Sequence, residues 1–369
     1  MDAPSVAWPI ARFCRQYLQI EPDLDYPDGS LLRPYDTQEF LYETLFAPAA
    51  DGQGSELPPA YALRVLKTLV GKIEDSIDDW DQYDVSDKLM TRLAELASSG
   101  LAAANTLGHA MQKHRVTYYL AALEGTTTTT TTPPPPTITL AENRSTFAAA
   151  GTTGLRTWEA SMHLGVYLCR DPALVRGKRV LELGAGTGYV SILCAKYLGA
   201  ARCVASDGWS EVIDNMPANL RLNGLDTTGA AVTPLMLRWG EEEEAEELAG
   251  DGNANENGAV QADVVLGADV TFDAADMPAL LSTIRRCVAT KEDPVILIAV
   301  IERNRATVET FTRLASTDFH VDMTAFPIPK KEEQTGPFYS DTVPIHICRL
   351  WPKSRAGLKM ERATSDRNP

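Results

Sequence analysis

Apolar residues recur along this chain in two rhythms, and the change between them falls near residue 147. Upstream the spacing is three and four. Leu63, Leu66, Val70, Ile73, Ile77 and Trp80 fall on one stripe of a helix. Pro58-Pro59 just before it suits a helix start. Leu89, Leu93 and Leu96 mark the inner face of the next helix, with Ser86 as its cap, and Phe40, Leu41 and Leu45 predict a shorter one upstream. Residues 1–124 are therefore predicted to form a helical domain, a scaffold or docking module without a catalytic constellation. Thr126–Thr132 and Pro133–Pro136 have nothing apolar to bury, and the prolines exclude helix, so 125–146 is predicted to be an exposed linker.

Downstream, short apolar runs alternate with helical patterns. Strands are predicted at Arg179–Leu183, Arg202–Ser206, Ala231–Leu237, Asp263–Ala268, Val295–Val300, His320–Thr324 and Ile345–Leu350. Helices are predicted at Tyr189–Tyr197, Glu211–Asn223, Met277–Val288 and Ala306–Ser316, with Asn223-Gly224 as a left-handed cap. Helices separate the first five strands, which should then be parallel with right-handed crossovers. No helical pattern separates the last two, which should be antiparallel. Residues 147–352 thus read as one α/β domain. An acidic Asn/Gly-rich insertion at 240–260 and a frayed basic tail at 353–369 complete the chain.

The turn after the first of these strands carries the chemistry. Gly184-Ala185-Gly186-Thr187-Gly188 follows Arg179-Val-Leu-Glu-Leu183, and Asp207 closes the next apolar run. Glycines permit a tight turn and close approach of backbone to a ligand. A carboxylate about twenty positions further on can take both hydroxyls of a ribose. An adenosine-containing cofactor is expected. A dinucleotide fingerprint reads G-x-G-x-x-G, whereas this third glycine comes one position early. Glu182, two residues before the turn, would repel a pyrophosphate and suits a cation. S-adenosyl-L-methionine carries an ammonium and a sulfonium and no phosphate, so it is the expected cofactor.

Ligands in such sheets bind beyond the carboxyl ends of the strands, so the other candidates are residues just after strands. Trp239 follows the third and can flank adenine. Ala268 ends the fourth, placing its backbone near the methionine half of the cofactor. Asp269 would face the methyl group and the incoming nucleophile, docking and aligning an amine. Phe272, three positions later, would wall the nucleophile channel. Trp158, in Thr152-Thr-Gly-Leu-Arg-Thr-Trp-Glu-Ala-Ser161, opens a helix capped by Thr157 and would cover the cofactor from above.

Bulk properties narrow the partners. The 369 residues have room for about two domains. Net charge is −16, which disfavours nucleic acid as a primary partner. The longest apolar run, Val295 to Ile301, is too short for a bilayer, and no signal pattern opens the chain. The six cysteines lie far apart without a C-x-x-C pair, which argues against a metal site or disulfide scaffold and for a cytoplasmic protein.

The strings T-G-L-R-T-W-E-A-S, V-L-E-L-G-A-G-T-G, A-S-D-G, L-R-W-G and G-A-D-V-T-F together resemble the seven-strand protein lysine methyltransferases that modify translation factors and chaperones. The resemblance covers residues 147–350 and, more loosely, Leu57-Pro-Pro-Ala-Tyr-Ala-Leu-Arg-Val-Leu-Lys67, which is similar to the branch acting on elongation factor 2. It implies a Rossmann-like seven-strand sheet with its last two strands antiparallel, methyl transfer from S-adenosylmethionine, and a protein substrate, elongation factor 2 above all. Family cofactor contacts map onto Trp158, Gly184, Ala185, Gly186, Asp207, Trp239 and Ala268. The family's D-x-x-Y motif reads Asp269-Val-Thr-Phe272 in this chain, without the tyrosine hydroxyl. On the residues alone, action on a small molecule or another protein stays open, as does a non-catalytic adaptor.

Overall fold

Each helix of the N-terminal part buries one stripe, and those stripes meet in a single apolar cluster. A computed structural model describes residues 7–48, 57–98, 112–125, 135–143, 153–225, 231–240 and 261–353. The chain divides into two compact units, Met1–Gly151 with Gln334–Phe338, and Thr152–Glu333 with Tyr339–Pro369. The predicted 240–260 insertion, the threonine tract and the tail fall almost wholly outside the described residues.

In the first unit, α1 (Trp8–Leu18), α2 (Gly29–Leu32), α3 (Tyr35–Leu41), a π-helical turn (Tyr42–Phe46), α4 (Pro59–Ser76) and α5 (Asp87–Ser98) surround Phe13, Tyr17, Leu66, Leu69 and Ile73, all buried. Pro59 opens α4 as expected. Ile77 turns extended and ends the helix, so Trp80 lies beyond it and is exposed rather than part of the stripe. The Ser86 hydroxyl donates to Glu39 at 2.6 Å.

Two segments depart from the expected helix and linker. Strands β1 (His114–Tyr119) and β2 (Thr137–Glu142) pair antiparallel, with Tyr118 opposite Ile138. Their burial alternates: Val116, Tyr118, Ile138 and Leu140 are buried between half-exposed threonines. That period of two, with β-branched residues, makes a strand. The buried Glu142 carboxylate accepts the Tyr118 hydroxyl at 2.8 Å. The segment Gln334–Phe338 belongs to this unit although it comes late in sequence. Buried Gln19 holds it like a further strand, accepting the Phe338 N–H at 2.9 Å and donating to its carbonyl at 2.5 Å.

The second unit is the predicted α/β domain. Its seven strands are β3 (Arg179–Leu183), β4 (Arg202–Asp207), β5 (Val232–Met236), β6 (Val264–Ala268), β7 (Val295–Ile301), β8 (Phe319–Thr324) and β9 (Ile345–Pro352), in the order β5-β4-β3-β6-β7-β9-β8. The first five are parallel, and β9 runs antiparallel between β7 and β8. The helices α6 (Glu159–Arg170), α7 (Tyr189–Lys196), α8 (Ser210–Leu222), α9 (Met277–Cys287) and α10 (Arg305–Ala315) carry apolar faces onto it. Gly224, at φ +69°, ends α8, and the Leu225 N–H closes back onto the Leu220 carbonyl. The order reverses between β3 and β6. Leu183 lies level with both Ser206 and Gly267, so Gly184, Asp207 and Ala268 emerge side by side at one edge. A topological switch point of this kind is where open α/β sheets bind ligands.

Candidate active site

The turn Gly184–Gly188 is built from backbone that only glycine tolerates well. Gly184, Gly186 and Gly188 have φ of +65°, +54° and +85°. A Cβ on Gly188 would come within 2.4 Å of the Met216 sulfur, and one on Gly184 within 2.7 Å of Val270 Cγ1. Neighbouring residues take up the turn's polar groups. The Ala185 N–H donates to the Ser206 carbonyl at 2.8 Å, buried Asn219 donates to the Thr187 carbonyl at 2.9 Å, and the Thr157 and Thr187 hydroxyls meet at 2.7 Å.

Both predicted carboxylates beside the turn brace it. Asp207 accepts the Gly186 N–H through Oδ2 and the Trp209 N–H through Oδ1, each at 3.1 Å, with the Gly208 N–H as a third donor. A carboxylate offers about four acceptor positions, so one remains beside these three donors. Burial raises its pKa. Glu182 is fully enclosed and accepts the Ser191 N–H and hydroxyl at 2.9 and 2.5 Å, which anchors the first turn of α7. Burial pushes its pKa up to about 7. Its carboxylate thus links the end of β3 to the helix that follows the turn.

At the end of β6, Ala268 is buried and Asp269 takes φ of +58°, unusual for a residue with a Cβ. Arg303, just past β7, grips both oxygens of Asp269 in a bidentate pair. Burial raises the Asp269 pKa against the opposing pull of that guanidinium. In the same turn Val270 and Thr271 are buried, whereas Phe272 is 65% exposed. The apolar side chain packed over Gly184 and Gly267 is therefore Val270, and the expected wall at Phe272 is not enclosed. Trp239 packs against the sheet core and lies 3.7 Å from where a Gly184 Cβ would stand.

Trp158 is the N-cap residue of α6, a place expected for Thr157, whose hydroxyl meets Thr187. The indole N–H donates to the Thr153 carbonyl at 3.0 Å. Two guanidiniums lie over the ring, Arg156 at 5.0 Å and Arg303 at 5.6 Å from its centroid.

Comparison with known proteins settles the family. A model of the lysine methyltransferases matches residues 139–317. The protein-lysine N-methyltransferase EFM3 of Chaetomium thermophilum is 48% identical over 342 residues, 92% of this chain and 97% of that protein. The chain belongs to the lysine methyltransferase family. It is a protein-lysine N-methyltransferase whose methyl donor is S-adenosylmethionine. Human protein-lysine N-methyltransferase EEF2KMT is 31% identical over 47% of this chain and 53% of its own. A solved S-adenosylmethionine-dependent O-methyltransferase from Thermotoga maritima aligns over 54% of this chain and 69% of that one, at 15% identity and a TM-score of 0.38.

The methyltransferase edge suits that donor. Three residues of the turn lack a Cβ, and the side chain beside it is an acceptor, not a phosphate-binding cation. Several of its working parts escape a reading by motif. Asn219 and Met216 meet the turn from a helix behind it, and Ser191 holds Glu182 just before it. Arg303, by contrast, sits just past a strand, and the rule that selected Asp269 would have found it.

Among the described residues, no helix is long and apolar enough to cross a membrane.

Proposed function

We propose that this methyltransferase modifies a lysine of a translation factor, most specifically elongation factor 2. When bound, the donor would supply an electrophilic methyl group to the amine lone pair, with the C–S electron pair kept by sulfur and the ammonium proton passing to water. The chain's own residues bind and orient. Gly184, Ala185 and Gly186 offer a Cβ-poor cradle, Asp207 gives its remaining acceptor position to the ribose, and Trp239 flanks the adenine. The Ala268 backbone borders the methionine half, Trp158 covers the donor from above, and Asp269 aligns the amine, with Phe272 along the nucleophile channel.

The observation that carries this reading is the match to EFM3, which runs through both units and not through the α/β unit alone. A shared N-terminal helical unit supports recognition of a folded protein beyond the lysine itself, since fold alone does not settle a substrate. The six cysteines are buried and unbridged, which supports a reducing, cytoplasmic setting.

The test is intact-mass and peptide mapping of purified elongation factor 2 after incubation with the enzyme and S-adenosylmethionine. A gain of methyl groups on one lysine is expected. An unmodified factor, with label entering another protein of a lysate, would reassign the substrate and leave the chemistry in place.

A further inference from the structure

The carboxylate at the end of β6 already has a cation. Arg303 sets Nη1 2.8 Å from Oδ1 and Nη2 2.7 Å from Oδ2 of Asp269. A guanidinium fork on a carboxylate fixes both groups in direction as well as distance. The carboxylate it grips stands on backbone in the left-handed region, where an aspartate needs outside support. The Asp269 side chain is 12% exposed and that of Arg303 45%, so the carboxylate is the more enclosed of the two.

Charges of both signs surround the pair. Arg303 and Arg156 lie over the Trp158 ring. Glu159, the first residue of α6, acts on both Asp269 and Arg303 and stands 3.9 Å from Arg156. Two cations thus face two carboxylates. The neighbouring Glu302 is taken by His346, at 2.6 Å.

This balance bears on the reaction. A lysine attacks only when neutral, and its ordinary pKa is about 10.4. An uncompensated carboxylate beside it would attract the ammonium and raise that pKa further. We propose that Arg303 is a positioning residue of the methyl-transfer site: it holds Asp269 in its left-handed conformation and cancels its charge, so that the edge of β6 orients an amine without stabilising its protonated form. This rests on the placement of Asp269 at the acceptor side of the donor.

Two measurements on the full-length enzyme test it. The first needs no acceptor. Calorimetric affinities for S-adenosylmethionine and S-adenosylhomocysteine are compared at about pH 8, where a freed carboxylate is ionised. In R303Q the bare Asp269 attracts the sulfonium and not the neutral thioether, so the affinity ratio should shift about three- to tenfold toward the methyl donor. R303K should stay near the wild-type ratio, and R303Q/D269N should return to it. An unchanged ratio in R303Q with intact circular dichroism overturns the proposal.

The second follows kcat against pH at saturating elongation factor 2, because kcat reports groups in the enzyme–substrate complex. The ascending limb should move up by about one pH unit in R303Q and less in R303K. A uniform loss of rate with the limb unmoved means a merely structural role and overturns the proposal. A lower KM in R303Q with the limb unmoved means that Arg303 obstructs the amine, and overturns it too. If the wild-type enzyme leaves elongation factor 2 unmodified, the substrate assignment fails, and the calorimetric ratio still decides the role of Arg303.

Discussion

Asp207 and Gly186 are joined by a hydrogen bond of 3.1 Å from the glycine N–H to Oδ2. Through Oδ1 the same carboxylate takes the Trp209 N–H, at the start of α8. One side chain therefore fastens the turn after β3 to the helix after β4. Register makes this possible, since Leu183 and Ser206 pair level and their successors emerge together.

Replacing that brace should loosen the turn and remove the last acceptor position in one step. D207N is expected to bind S-adenosylmethionine about 10- to 100-fold more weakly, a loss of about 1.4–2.8 kcal/mol. S-adenosylhomocysteine should weaken by the same factor, because Asp207 addresses the ribose that both share. Calorimetry with the two ligands checks this. A variant that keeps wild-type affinity would place the ribose elsewhere.

Glu182 ties its function to pH. Burial raises its pKa from 4.5 to about 7 in the folded protein. The folded state then holds a proton that the unfolded chain releases near pH 4.5. Stability from this group is fully present below that pH and is lost as pH rises toward 7, by up to about 3 kcal/mol. E182Q keeps an acceptor for Ser191 without the charge, so it should gain on the wild type as pH rises through this window. Urea unfolding at pH 5 and pH 8 measures the gain. Equal differences at both pH values would show that Glu182 is ionised throughout.

The α/β unit was legible because its elements are long enough to show their period and its turn needs glycine three times in five residues. Strand β3 was predicted at its observed bounds, and the other six fell within about two residues. The hairpin was not legible. Val116, Tyr118 and Leu120 alternate over only a few positions, and the partner strand starts just after a threonine and proline tract that reads as linker. At the site, spacing located the residues but not the partners they meet. Glu182 and Asp207 could be placed by spacing, but spacing does not say that backbone N–H groups already surround them. Position three after Asp269 points to Phe272 as a wall, while the buried apolar member of its turn is Val270. Such outcomes depend on which side chain meets a neighbour outside its own motif, as Ser191 meets Glu182 from the helix after the turn.

Gln19 offers a test of the first unit alone. Its amide replaces a strand partner for Phe338, satisfying the N–H and carbonyl of one buried residue. The Arg12 guanidinium lies over the Phe338 ring at 5.1 Å and donates to the Gln334 carbonyl. Q19L keeps most of the volume and leaves both backbone groups without that amide. It should cost about 1–3 kcal/mol of stability, read by thermal or denaturant unfolding. If the segment holds by apolar packing, Q19L will match the wild type.

His163 provides the counterweight to Glu182. It is buried on α6, where Nε2 donates to the Phe326 carbonyl at 3.0 Å and Nδ1 accepts the Tyr339 hydroxyl at 3.1 Å. That pairing fits the neutral ring, and burial lowers its pKa from 6.5 to about 4. The unfolded chain therefore takes up a proton that the folded protein refuses. Stability from this group is present above pH 6.5 and is lost as pH falls toward 4, by up to about 3 kcal/mol. The sign is opposite to that of Glu182, and the windows overlap between about pH 4.5 and 6.5, so the two slopes partly cancel in the wild type. H163Q should be less stable overall, yet its stability should rise relative to the wild type as pH falls through this range. E182Q should do the reverse and show a steeper acid loss than the wild type. Denaturant titrations of both variants at half-unit pH steps distinguish these slopes, and parallel curves for H163Q and wild type would mean that the ring is not neutral in the folded protein.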